Sequence, residues 1–243
     1  MNGWIIIKTL NDQDMKKLWI ALGWDILRQQ RYQIFTAAFV VTLLYVLSFL
    51  YFSLSDQIPL LVTLIFNDPA GLGMLFIGAL YLMERSENTL QALSVTPLPA
   101  AHYVWSKTIS LSLLATLSAL VMAVAGFGWA FHYGYFIAGI GLSASLFTLL
   151  GLALVVHCRS FNDYILRIAV FLMPVILPFF NLFGLTDTLW WYLIPSQAGL
   201  LLLEAAFTPV GAWKLIYASI YLILWNSLAF RIALHYFRAK RSH

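Results

Sequence analysis

Long runs almost free of charge alternate with short polar turns along this chain. Residues 34–54 hold no charged side chain and end in Ser55-Asp56-Gln57, and comparable runs follow at 65–83, 108–127 and 134–156, from Tyr164 onward, and at 213–234. A run of about 20 apolar residues wound as a helix matches the thickness of a bilayer's hydrocarbon core. The pattern therefore predicts an all-α integral membrane protein with six transmembrane helices between residues 34 and 234.

The segments between and before these runs are patterned too. In residues 1–33, Leu18, Leu22 and Ile26 recur at every fourth position beside Trp19, while Lys16, Lys17, Arg28 and Arg31 lie elsewhere on the wheel. That spacing predicts an amphipathic interfacial helix on the membrane surface. Asn67-Asp68-Pro69 interrupts the second hydrophobic region near its outer end, and Asp before Pro is a helix-start signal, so residues 58–66 are expected to form a separate outer turn. Between spans five and six, residues 186–199 fail as a full span. Trp190-Trp191-Tyr192, Pro195 and Gln197 predict short interfacial or re-entrant helices at the depth where aromatic side chains gather. The chain closes in a basic tail, 235–243.

Composition removes the soluble alternatives. Hydrophobic residues make up 62% of the chain and charged ones 10%, against roughly 45–50% and about 25% in soluble domains. No stretch has the mixed polarity of a catalytic domain, and no G-x-x-x-x-G-K-[ST] phosphate loop occurs. The one cysteine, Cys158, excludes an internal disulfide, and the five histidines are scattered without ligand spacing, so no metal site is expected. The net charge of +4 comes without a basic stripe or stacking motif, which argues against nucleic acid as a partner. With both termini on the cytoplasmic side, Lys214 is the one of the 14 lysines and arginines that falls outside. The positive-inside rule thus favours a multi-pass protein with cytoplasmic N- and C-termini.

The densest patterned polar loop, residues 84–107, lies between spans two and three on the cytoplasmic side. Thr89, Leu90, Leu93 and Val95 to Pro97 give a short helix with an apolar edge, stopped by Pro97 and Pro99 and flanked by Glu84, Arg85 and Glu87. Such a helix suits a groove on a soluble partner. The segment resembles the cytoplasmic coupling helix of ATP-binding-cassette (ABC) exporter permeases of the type 2 class. Their order is Glu-Arg, a polar linker, Thr-Leu-x-x-Leu-x-x-Thr-Pro and a Lys before the next span. It reads here as Glu84-Arg85, Ser86-Glu87-Asn88, Thr89-Leu90, Leu93, Thr96-Pro97 and Lys107. The usual linker glycine is Asn88, a residue that tolerates left-handed backbone. Within the class, the wording from Leu90 to Leu98 is most similar to fluoroquinolone-export-type permease subunits.

The resemblance implies a permease subunit that moves a hydrophobic or amphipathic small molecule of the drug type out of the cytoplasm or inner leaflet of a prokaryotic plasma membrane. It implies a separate ABC ATPase subunit as motor and a second permease copy or paralogous permease. It also implies no cofactor on this chain, with ATP and magnesium on the partner. The ATPase-coupling residues it assigns are Glu84, Arg85, Glu87, Thr89, Leu90, Leu93, Thr96 and Pro97. A haem-export or lipid-export permease of the same architecture is the alternative. An intramembrane enzyme fits less well, since no G-x-S-x-G, H-E-x-x-H or acidic cluster falls within the spans.

Four residues remain as candidates for translocation or a hinge. Asp68 is either an ionisable site in the membrane or a helix cap. Pro174, Pro178 and Asn181 mark either a cavity lining or a structural kink. Gly141, Ser145 and Thr148 form a small-residue face expected to serve close helix packing.

Overall fold

The structure, a computed structural model, describes residues 12–52, 57–67, 71–94, 98–186 and 188–241, and all regular structure among them is helical. Helix α1 spans Asp12–Arg31, α2 Ile34–Phe52, α3 Ile58–Asn67, α4 Gly73–Ser86, α5 Thr89–Ser94 and α6 Ala100–Phe127. Helix α7 spans Tyr133–Val155, α8 Phe161–Ile176 and α9 Phe179–Leu182; a 3-10 turn at Leu189–Leu193 precedes α10, Pro195–Phe207, and α11, Ala212–Arg241. Five of these are long and apolar enough to cross a membrane: α2, α6, α7, α8 continued by α9, and α11.

The expected second span takes a different form. Its residues divide between α3, with 10 residues, and α4, with 14, and at 1.5 Å per residue neither alone reaches about 30 Å. Both are short because both are inside: Leu61, Val62, Ile65 and Phe66 of α3 and Met74, Ile77, Leu80 and Tyr81 of α4 are buried in the core. The third span also starts earlier than the hydropathy suggested. Helix α6 begins at Ala100, so His102, Ser106 and Lys107 are helical rather than part of a loop. At the far end α11 continues unbroken through 235–241, carrying the basic tail as its last turns.

Helix α7 is the centre of the bundle. Its most apolar stretch is 61% buried, against 17–28% for the other four candidate spans, and α4, α6, α10 and α11 all pack on it. Small residues permit this closeness, as in other membrane helix bundles. Tyr164 of α8 threads between α4 and α7: a Cβ added at Gly78 would stand 1.7 Å from its ring, and one at Gly151 2.9 Å from its hydroxyl. That hydroxyl donates to the Met74 carbonyl at 2.6 Å. Ser145, from the predicted small-residue face, donates to Asn226 of α11 at 2.5 Å.

Helix α8 opens on Ser160, whose hydroxyl accepts from the backbone N–H of Asp163. Ser160 is therefore the cap, and Asp163 pairs with Arg167 one turn on. Pro174 lies inside α8, which ends at Ile176, and Pro178 caps α9. The carbonyl of Val175 at this break accepts from Ser196 at 2.9 Å, a side chain satisfying backbone left open where α8 ends. On the same side of the break, the 3-10 turn is pinned to α11. The hydroxyl of Tyr217 donates to the Tyr192 carbonyl and that of Tyr221 to the Leu193 carbonyl.

Candidate functional site

Helix α1 is amphipathic in an unexpected sense. Positions 25, 28, 29 and 32, spaced for one helical face, hold Asp, Arg, Gln and Tyr, and Asp25 and Gln29 are buried. The large apolar residues Trp19, Ile20, Trp24, Ile26 and Leu27 are exposed. Because α1 packs its polar stripe against α6, it turns its tryptophans outward, the arrangement of a helix at a lipid interface.

The stripe meets two charges from elsewhere in the chain. Lys107, about two turns into α6, and Glu84, near the end of α4, both have side chains with no exposed surface. Lys107 Nζ lies 2.7 Å from Asp25 Oδ1 and also pairs with Glu84. Arg28 donates to the same Glu84 oxygen at 2.8 Å. The Tyr103 hydroxyl donates to the other Glu84 oxygen at 2.7 Å, the Ser106 hydroxyl donates to Asp25, and Gln29 donates to Ser110 at 2.7 Å. Two carboxylates face two cations, so the cluster is neutral. Tyr103 is held flat against Phe237 of α11, with ring centroids 4.4 Å apart. One network thus joins α1, α4 and α6 and touches α11.

Its electrostatics follow from that geometry. Burial works against the Glu84 carboxylate, but Lys107 and Arg28 override it and hold its pKa below the ordinary 4.5. Burial likewise opposes charge on Arg28, and Glu84 outweighs it and raises the pKa. At the rim, Tyr32 donates to Glu87 at 2.6 Å, and partial burial together with that bond pushes its hydroxyl up to about 12.

The coupling segment is attached directly to this network. After α4, Asn88 takes a φ of +57°, the left-handed conformation for which the sequence offers Asn in place of Gly. Its carbonyl then accepts from the backbone N–H groups of Gln91 and Ala92, starting α5. Thr89 is half-buried and Leu90 packs against the core. A groove of about 400 Å³ separates α5 from α1. Ile20, Ala21, Trp24, Thr89, Ala92 and Leu98 line it together with Asp25, Arg28, Tyr103 and Ser106 of the network.

The predicted residues therefore separate. Glu84 lies inside the network, Glu87 at its rim, and Thr89 at the groove. Arg85 points away, its Nη1 donating to the Cys158 carbonyl at 2.9 Å. Leu93 falls in the last turn of α5, where the backbone alone is described, and Asp68, Thr96 and Pro97 lie outside the described residues. Pro174, Pro178 and half-buried Asn181 sit together at the α8–α9 break, remote in sequence from the network. Among the described residues no group of three or more His, Cys, Asp or Glu side chains could hold a metal ion. Sequence reasoning passed over Asp25, Gln29, Tyr103 and Ser106. For Asp25 and Gln29 the available signal was the i, i+3, i+4, i+7 polar stripe at 25, 28, 29 and 32, whereas Tyr103 and Ser106 carried none.

Comparison with known proteins adds the family. A model of the fluoroquinolones export permease protein family matches residues 16–240 of the chain. Fluoroquinolones export permease proteins from two strains of Mycobacterium tuberculosis, CDC 1551 / Oshkosh and H37Rv, are each 33% identical to it over 164 residues. The match covers 65% of this chain and 68% of each relative.

Proposed function

The chain belongs to the fluoroquinolones export permease protein family, and on that premise we propose that it is the membrane-spanning subunit of an ATP-driven exporter. It is a multi-pass transport subunit of the drug-export type, not an enzyme. In this reading a separate ABC ATPase hydrolyses ATP with magnesium, and this chain binds neither. The cargo is a hydrophobic or amphipathic small molecule, and a second permease, identical or paralogous, completes the pathway. Helices α3 and α4 together make the second of six crossings, α10 is a re-entrant helix of the outer half, and both termini are cytoplasmic in a prokaryotic plasma membrane. The distribution of lysines and arginines supports that orientation.

The observation that carries the coupling role is the position of Glu84. It stands five residues before α5 and is bonded to α1 through Arg28 and to α6 through Lys107 and Tyr103. A motor that seats on α5 and the groove beside Thr89 displaces α4, α1 and α6 as one unit, because the ionic network between them does not shear without exposing unpaired charge. Pro174, Pro178 and Asn181 supply the compliant point farther along the chain, where α8 is already broken.

The test is reconstitution of the permease with its cognate ATPase. Leu93→Asp and Thr89→Trp are each expected to abolish substrate-stimulated ATP hydrolysis while the protein stays in the membrane. Unchanged stimulation in both variants would sink the assignment. A reporter fused after Lys240 checks the orientation separately, and an extracytoplasmic signal would overturn it.

A further inference from the structure

A second cavity, of about 370 Å³, opens where α4, the α7–α8 turn and the last turns of α11 meet. That volume falls within the roughly 300–1,000 Å³ of small-molecule sites. Arg85, His157, Arg159, Tyr236 and Lys240 line it, and among the described residues no carboxylate does. The acids nearest in sequence are committed elsewhere: Glu84 to Lys107 and Arg28, Glu87 to Tyr32, and Asp163 to Arg167 at 3.0 Å and to the backbone N–H of Arg159. Among the described residues, none of Arg85, Arg159 and Lys240 lies within ion-pair distance of a carboxylate.

The lining is also fixed in place. Arg85 is anchored through one nitrogen to the Cys158 carbonyl, which leaves its other N–H donors to face the cavity. His157 Nδ1 bonds the Ala153 carbonyl at 3.1 Å, and its ring meets that of Tyr236 edge-on at 4.5 Å. Three like charges gathered around one hollow repel each other, and a stable fold keeps them there when an anion completes the set. Helix α8, which leads away from the turn that lines the cavity, has an apolar outer face: Leu166, Val170 and Met173 are each about two-thirds exposed (66–69%) on a span.

We propose that this cavity is a phosphate site that takes the headgroup phosphodiester of an anionic phospholipid, with the acyl chains running along α8. Arg85 and Arg159 present planar donor sets to the phosphate oxygens, and Lys240 adds a point charge from α11. The leaflet that supplies the lipid is the inner one if the orientation proposed above holds. The phosphate chemistry does not depend on that orientation.

The experiment is native mass spectrometry of the full chain in neutral detergent, titrated with phosphatidylglycerol, with phosphatidylcholine and with inorganic phosphate. The wild type is expected to retain phosphatidylglycerol in preference to phosphatidylcholine. Arg159→Gln combined with Lys240→Gln is expected to weaken that binding by about fivefold for each cation removed. Lys16→Gln combined with Arg31→Gln, both exposed on α1 and absent from the cavity lining, is expected to leave it unchanged. Displacement of phosphatidylglycerol by inorganic phosphate, or binding of inorganic phosphate alone, supports the phosphate site and identifies the free anion as a second source. Equal retention of the two lipids with no phosphate bound would overturn the proposal, as would equal losses in the two double variants. If the cavity variant melts lower than wild type, the single Arg159→Gln carries the comparison.

Discussion

Glu84 and Arg85 are neighbours on the last turn of α4 and serve two regions built on opposite terms. Glu84 enters a dry network in which two carboxylates and two cations cancel and each charge has a partner within hydrogen-bond distance. Arg85 turns to a cavity where arginine, lysine and histidine gather with no acid among the lining. The network is a structural joint: burial makes each charge dependent on the others. The cavity is a receptor: its charges are partly wet, tolerate one another, and are satisfied from outside. Charged residues at the end of a membrane bundle thus divide by burial into those that hold the protein together and those that hold something else.

The comparison can be broken most forcefully at Lys107. Lys107→Met strands Asp25 and Glu84 without their shared partner, and such a loss costs about 3–5 kcal/mol. The expected outcome is a chain that unfolds in detergent well below the wild-type melting temperature, read by thermal scanning. A wild-type melting curve would show that the network is not a joint. Tyr103→Phe is a gentler probe, since it keeps the ring stacked on Phe237 and removes one hydroxyl from a buried carboxylate, at a cost of about 1.5–3 kcal/mol. If chemical denaturation places it level with wild type, Glu84 does not depend on that donor.

Acid separates the regions next. The Glu84 pKa lies below its ordinary 4.5 in the folded protein, so its contribution to stability is full above that value and is lost as pH falls through the depressed one. Thermal midpoints measured from about pH 7 to about pH 3 are expected to hold steady and then drop, and Glu84→Gln to flatten the drop. A midpoint that declines already near neutrality would point to other groups. The smallest effect is expected in the cavity, where Arg159→Gln with Lys240→Gln changes stability by no more than about 0.5 kcal/mol. A larger loss in the same thermal scan would make the cavity a joint as well.

The lengths of the spans were legible because the bilayer imposes a simple rule: α2, α7 and α11 cover the intervals that the apolar runs at 34–54, 134–156 and 213–234 predicted. Elements decided by specific side-chain partners were not. Residues 100–107 look like a loop by hydropathy, yet they are helix, because Tyr103, Ser106 and Lys107 are satisfied by Glu84 and Asp25 rather than by water. The separation of α3 from α4 is an exception, since Asn67-Asp68-Pro69 set residues 58–66 apart in the sequence, but the span expected over 65–83 yields only the 14-residue α4. The coupling segment was readable at Asn88 through its backbone preference, whereas the inward role of Glu84 depends on partners 56 and 23 positions away.

The network also imposes an order on synthesis. Asp25, Arg28 and Glu84 leave the ribosome before Lys107, so until residue 107 emerges the nascent cluster holds two acids against one arginine. In that interval α1 has no neutral seat against the bundle and α4 carries a carboxylate it cannot bury. Docking of the N-terminal helix is therefore a late event, deferred until α6 is made.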